Sequence, residues 1–273
     1  MKAWIDGRVV DADSAYVSAL DHGFTVGDGV FETMLTRDGQ AFALTRHLRR
    51  LTRSAAGLGM VPPSEDDLRA AVDAVLTASD VGPVGRLRIT VTSGVGPLGS
   101  GRGDATPTVV VLLSEARPWP ATTSLVTVPW PRNERSAVAG LKTTSYAENV
   151  IALEWAHARG ASEALLLNTA GYVCEGTGSN VFAVIDGQAV TPPLTSGCLA
   201  GVTRELVLEW CGGVEVDITQ EDLGRASEVF VTSSTRDVHP VDRLDAVTHL
   251  APGPVTSQFA AEFARRAAEG TDP

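Results

Sequence analysis

Residues 171–206 read GYVCEGTGSNVFAVIDGQAVTPPLTSGCLAGVTREL, and the fold turns on them. An apolar run closes on Glu175, glycines follow at once, and the run NVFAVI turns back at Asp186-Gly187, a favoured hairpin dipeptide. A glycine-containing loop then leads straight into the helical pattern TRELVLEW. The first N–H groups of such a helix, near Val202 and Thr203, have no carbonyl partner inside it and suit an anion such as phosphate. A helix capped simply by its threonine would leave the same pattern.

Upstream, residues 136–150 read SAVAGLKTTSYAENV and hold Lys142, one of only two lysines against twenty arginines. Guanidinium replaces an ammonium in most ion pairs, but it does not deprotonate and cannot act as an amine nucleophile. A lysine kept in an arginine-rich chain is therefore a candidate to form a Schiff base with an aldehyde cofactor such as pyridoxal phosphate. A chance surface lysine is the plainer reading of that single residue. Such a cofactor needs a carboxylate at its ring nitrogen, a site for its phosphate, and a lysine free to work as a base. Glu175 suits the first demand, because the glycines after it let a ring approach the backbone. For the phosphate the chain offers the helix start at Val202 and Thr203, and the hydroxyl run in VTSSTRD (231–237). The segment RHLRRL adds Arg46, Arg49 and Arg50, among which spacing alone selects none.

The remaining composition narrows the class. A chain of 273 residues with 44% hydrophobic and 20% charged residues has the makeup of a globular protein with room for one large or two medium cores. A net charge of −11 argues against nucleic-acid or anionic-membrane partners. No apolar run approaches the ~20 residues of a membrane span. Cys174, Cys198 and Cys211 lack CxxC spacing, and the five histidines form no ligand pair, so buried thiols in a reducing cytoplasm are expected and a metal is not. GVGPLG (94–99) matches a dinucleotide fingerprint only formally, since Pro97 interrupts it and no helix follows.

Hairpins are expected at Asp6-Gly7 and Asp38-Gly39, followed by a helix carrying Leu44, Leu48, Leu51, Ala55 and Leu58, and a second helix capped by Ser64. ARPWPATTS (116–124), with two prolines and no periodicity, marks the boundary. This gives an N-terminal domain over 1–116, a linker over 117–124 and a C-terminal domain over 125–273. A capping box at Ser145 and Glu148 should start a helix running to about Arg159. A terminal helix should begin near Pro254. Hairpins with segregated helices make each half α+β.

Taken together, these segments resemble the class IV aminotransferases, the fold-type IV pyridoxal phosphate enzymes. GDGVFE, HLRRL, LKTTSYAENV, and the pair GYVCEGTGSNVFAV and TPPLTSGCLAGVTRE occur in the family's order and span nearly the whole chain. The resemblance implies a two-domain fold, with a smaller N-terminal α/β domain, a larger C-terminal domain and the cofactor in the cleft. It makes Lys142 the Schiff-base lysine and proton shuttle, Glu175 the pyridinium partner and Arg50 a phosphate ligand. Val202 and Thr203 N–H groups and the Ser234 hydroxyl complete the phosphate site, with Tyr146 near the cofactor. It also implies a homodimer acting on a small-molecule amine.

Within the family, GDGVFET is similar to aminodeoxychorismate lyases and D-amino-acid transaminases. Phe31 stands where the latter usually carry tyrosine. The glycine-rich loop SGVGPLGSGRG resembles that of the lyases and makes Arg102 a candidate for a substrate carboxylate, although KTTSY lacks the asparagine that lyases carry three residues after the lysine. The expected activity is therefore conversion of 4-amino-4-deoxychorismate to 4-aminobenzoate and pyruvate, a step of folate synthesis. The alternatives are a transaminase for D-amino acids, branched-chain amino acids or (R)-amines, or a non-catalytic protein that has kept the fold.

Overall fold

The computed structural model describes residues 1–104 and 106–273. The chain divides into two compact units. The first comprises residues 1–117, 141–145 and 271–273, and the second residues 118–140 and 146–270.

In the first unit, strands β1 (Lys2–Ile5), β2 (Arg8–Asp11), β3 (Gly29–Arg37), β4 (Gln40–Ala41), β5 (Val84–Thr92) and β6 (Thr108–Glu115) form an antiparallel sheet of order β2-β1-β6-β5-β3-β4. Its hairpins turn at Asp6-Gly7 (φ 45° and 87°) and Asp38-Gly39 (φ 49° and 76°), the left-handed pair that a two-residue turn of primed type needs. After the short helix α1 (His22–Thr25), helices α2 (Leu44–Gly57) and α3 (Glu65–Ala78) pack their apolar stripes onto one sheet face. Leu48, Leu51, Leu68, Val72, Leu87, Ile89 and Leu113 are all buried there, and Ser64 caps α3 by accepting from Asp67 N–H.

Because β4 pairs only with Thr36 and Arg37, the start of β3 has an open edge. Residues 142–144 fill it. Thr143 bridges Val30, Phe31 N–H donates to Lys142 O at 3.1 Å, and Thr144 N–H donates to Gly29 O at 2.8 Å. Unpaired edge groups attract extended chain, so these bonds hold the lysine in place.

The second unit is built on a mixed sheet of β7 (Thr123–Thr127), β8 (Glu163–Leu167), β9 (Val173–Gly176), β10 (Asn180–Ile185), β11 (Gln188–Thr191), β12 (Val214–Glu215), β13 (Glu228–Ser233) and β14 (Asp237–Leu244), in the order β12-β11-β10-β13-β14-β7-β8-β9. The short strand β15 (Val247–Thr248) pairs with β14. Helices α4 (Ala147–His157), α5 (Val202–Cys211), α6 (Gln220–Arg225) and α7 (Pro254–Ala267) accompany it. Phe182 and Phe230 stack at 4.8 Å between ring centres, and Phe259 meets Phe230 edge-on, anchoring α7 to the sheet.

One local expectation fails. The Ser145–Glu148 capping box does not form, because Tyr146 is the N-cap of α4 and its side chain makes no cap bond. Ser145 Oγ donates instead to Gly27 O at 3.0 Å, and Glu148 pairs with Arg132. The cysteines are free. Cys174 and Cys198 are buried and Cys211 is half-buried. Burial pushes the thiols of Cys198 and Cys211 up to about 11 and that of Cys174 higher still. Among the described residues no helix is long and apolar enough to cross a membrane, and no group of three His, Cys, Asp or Glu could hold a metal.

Candidate active site

Alternation along β3 sends Glu32 to the face covered by α2 and its neighbour Phe31 to the opposite one. The Lys142 ammonium lies 4.3 Å from the Phe31 ring centre, and the Arg88 guanidinium carbon lies 3.9 Å from it. Two cations therefore bear on one phenylalanine, each at cation–π distance. The backbone N–H of Lys142 donates to Ser54 Oγ of α2 at 3.1 Å, and the Arg88 Nε–H donates to Thr90 Oγ1 at 3.1 Å. Sequence reasoning assigned Arg88 no role. The period-two pattern of RLRIT, charged residues on one face and apolar ones on the other, was the available signal.

On the α2 side, Arg50 donates to both oxygens of Glu32, at 2.7 and 2.6 Å, and the ring of His47 lies 2.6 Å from the same carboxylate. All three side chains are at most 5% exposed. Burial alone would raise the Glu32 carboxyl, but Arg50 and His47 outweigh it and hold it down at about 2. His47 is pushed below its usual value, chiefly by burial. The imidazole is thus neutral at pH 7, and its Nδ1 carries the proton donated to Glu32. The resemblance singled out Arg50 as a phosphate ligand, whereas it gave no role to Glu32 and His47, the two residues that orient it here. Their signal was the spacing of three between His47 and Arg50, together with the glutamate in GDGVFE.

Arg102 sits elsewhere in the first unit. Its Nε–H and Nη2–H donate to the two oxygens of Asp28 at 2.6 and 2.5 Å, and its Nη1–H donates to Gly59 O at 3.0 Å. All three guanidinium nitrogens are engaged, and this fork holds the Asp28 carboxyl below its ordinary value.

The second unit contains Glu175, Val202, Thr203, Ser234 and Tyr146. Glu175 lies on β9 opposite Leu166, accepts from Leu199 N–H at 2.9 Å, and has Arg132 Nε 3.7 Å away. Leu199 leads into α5, whose N-cap is Gly201 with no side-chain cap bond, so the N–H groups of Val202 and Thr203 start the helix without a side-chain acceptor. A Cβ on Gly201 would lie 2.0 Å from Asn180 Oδ1, so a side chain there would displace Asn180 from Leu199 O, to which it donates. Arg204, the arginine of the GVTR motif, is buried and donates to Pro192 O at 2.8 Å as well as to Glu215, bracing the helix start. Ser234 is half-buried in the turn after β13. The neighbouring hydroxyls of Thr232 and Ser233, and Arg236 Nη1, are buried without a hydrogen-bond partner. Tyr146 is half-buried at the start of α4.

The first unit offers an amine and a buried arginine, and the second a carboxylate, an uncapped helix start and a turn of orphaned donors, and the chemistry of each group suits pyridoxal phosphate. Comparison with known proteins points the same way. The sequence profile described as amino-transferase class IV matches residues 29–244. A Methanocaldococcus jannaschii protein named "Putative branched-chain-amino-acid aminotransferase" is 33% identical over 96% of this chain and 95% of its own. The D-alanine aminotransferase of Listeria innocua is 30% identical over 95% of this chain and 93% of its own. The crystal structure of the branched-chain aminotransferase of Thermoproteus uzoniensis with norvaline superposes with a TM-score of 0.91 at 30% identity, covering 97% of this chain and 94% of that one.

Proposed function

The chain belongs to the class IV aminotransferases, pyridoxal-phosphate-dependent enzymes that act on small-molecule amino substrates, and we propose that it transfers an amino group between an amino acid and a 2-oxoacid. The observation that carries this reading is the pair of cations on Phe31. Lys142 is the amine that moves the proton, and Arg88 on the same ring supplies a cation for a substrate carboxylate. Arg102, which the lyase reading needs for that task, has its fork spent on Asp28 and Gly59. Curated relatives at 30% identity or more that are named branched-chain or D-alanine aminotransferases support the same choice.

When bound, pyridoxal phosphate supplies an electron sink for the charge left when a proton departs beside the substrate nitrogen. In this reading Lys142 would hold the cofactor, and its Nζ is the base that accepts and returns that proton. Glu175 keeps the ring nitrogen protonated, and Leu199 N–H and Arg132 hold its carboxylate in place. Arg50, the Val202 and Thr203 N–H groups and the Ser234 hydroxyl bind the phosphate, with Glu32 and His47 fixing Arg50. Phe31 is the apolar wall under the substrate, and Tyr146 belongs to the cofactor's surroundings. A homodimer in the cytoplasm completes the proposal, and sedimentation of the holoenzyme checks the assembly.

Aminodeoxychorismate lyase activity is the second reading, favoured by the glycine-rich loop that ends at Arg102. The holoenzyme is to be assayed with D- and L-amino acids plus 2-oxoglutarate or pyruvate, and separately with 4-amino-4-deoxychorismate. We expect 2-oxoacid turnover and no 4-aminobenzoate. Release of 4-aminobenzoate with pyruvate, without amino transfer, overturns the transaminase assignment.

A further inference from the structure

Glu163, the first residue of β8, is 1% exposed and lies at the centre of a polar cluster confined to the second unit. It accepts from Ala164 N–H at 3.1 Å, Thr177 N–H at 3.0 Å, the Thr177 hydroxyl, Ser179 Oγ at 3.4 Å and Arg236 Nη2 at 3.0 Å. Thr177 and Ser179 form the turn immediately after Glu175. Arg236, whose side chain is 8% exposed, closes the turn that carries Ser234, where its N–H donates to Ser233 O at 3.1 Å. One buried carboxylate therefore joins the turn behind the pyridinium partner to the turn behind the phosphate hydroxyl.

The join continues on the other side of Thr177. Buried Asn149 donates to Thr177 O at 2.6 Å and accepts from Arg132 Nη2 at 3.2 Å, while Arg132 Nε lies 3.7 Å from Glu175. Space around the carboxylate is tight. A Cβ on Gly176 would lie 2.5 Å from Ser179 Oγ and 3.3 Å from the Glu163 carboxyl carbon. Trp119 covers the Arg236 guanidinium at 4.1 Å, leaving it little freedom to follow a different partner.

Buried ion pairs add little net stability over apolar side chains of the same size, because desolvation offsets the attraction. Five donors converging on one carboxylate do fix geometry, and both tethered turns belong to the cofactor set. We propose that Glu163 is a positioning residue that sets the Ser234 turn relative to Glu175 and so matches the site to a phosphorylated pyridine. This rests on the reading of Ser234 as a phosphate ligand.

The test compares reconstitution of the apoprotein with pyridoxal phosphate and with pyridoxal, which lacks the phosphate. A loss of packing weakens both ligands, whereas displacement of the Ser234 turn weakens only the phosphorylated one. In Glu163→Gln the Thr177 bonds keep an acceptor of the same shape, but Arg236 loses its counter-charge. We expect the preference for pyridoxal phosphate over pyridoxal to fall at least about tenfold, the loss associated with one charge-assisted hydrogen bond, with pyridoxal affinity within about threefold of wild type. If Glu163→Gln folds poorly, the double variant Glu163→Gln/Arg236→Met removes the stranded cation, and the same fall is expected. An unchanged preference, or equal loss for both ligands, overturns the proposal. Ser234→Ala separates the two layers. If it leaves the preference intact, the phosphate reading of the turn fails, whereas a fall in Ser234→Ala without one in the Glu163 variants sinks the role of Glu163 alone.

Discussion

Glu32 is ionised in the core because Arg50 and His47 compensate a burial that would otherwise protonate it. Its folded value of about 2 lies below the ordinary 4.5, so its contribution to stability is complete above pH 4.5 and is lost as pH falls towards 2. The shift corresponds to a contribution on the order of 3 kcal/mol. His47, also lowered by burial, adds acid sensitivity below pH 6.5 in the same direction. Glu32→Gln should destabilise the protein by about 3–5 kcal/mol at pH 7, since Arg50 loses its carboxylate. It should also flatten the fall in urea midpoint between pH 5 and pH 3. An undiminished fall would show that another carboxylate governs acid unfolding. Arg88 and Arg102 give the second comparison at this scale. Arg88→Leu should lower kcat/KM for amino transfer about 10- to 100-fold, mainly through KM, and Arg102→Leu should change it less than about threefold. The reverse order would return the carboxylate to Arg102.

Among the elements, α2 carries most of the first unit's polar site, with His47, Arg50 and Ser54 all buried on it. Its own N-cap, Ala43 at φ 54°, offers no side chain to the helix start. Asp272 takes over that work, accepting from Thr45 N–H at 2.8 Å and from Thr45 Oγ1 at 2.5 Å, with Ala43 N–H donating to Thr271 O. Asp272→Ala should therefore cost about 1 kcal/mol, seen as ~2–4 °C in the thermal midpoint. Asp272→Asn, which keeps an acceptor, should cost less, and equal losses would refute the capping role. The helices and hairpins themselves were legible, because Asp-Gly turns and stripes of leucine are local signals. The cap from residue 272 was not, since nothing local ties residue 272 to residue 45. The Ser145 capping box misled for a similar reason. Ser145 obeys Gly27, more than a hundred residues away, and not the helix beside it.

Across the whole molecule, the family and its cofactor could be read from motifs because their order and spacing record the chemistry. What stayed hidden were the neighbours that hold each motif residue. Glu32 and His47 behind Arg50, Asp28 on Arg102, and Glu163 between two turns all act through contacts distant in sequence. The sequence boundary at 116–124 gave no hint that residues 141–145 and 271–273 join the first unit. Lys142 reaches that unit by completing a strand edge, a pairing that alternation within its own short segment cannot reveal. The proposed chemistry converges on one atom, Lys142 Nζ, the proposed point of cofactor attachment. Borohydride reduction of the holoenzyme, followed by proteolysis and mass spectrometry, tests it most directly. A single pyridoxyl group on the peptide containing Lys142 is predicted. A pyridoxyl group on Lys2, or a cofactor-loaded protein that carries none, would contradict it.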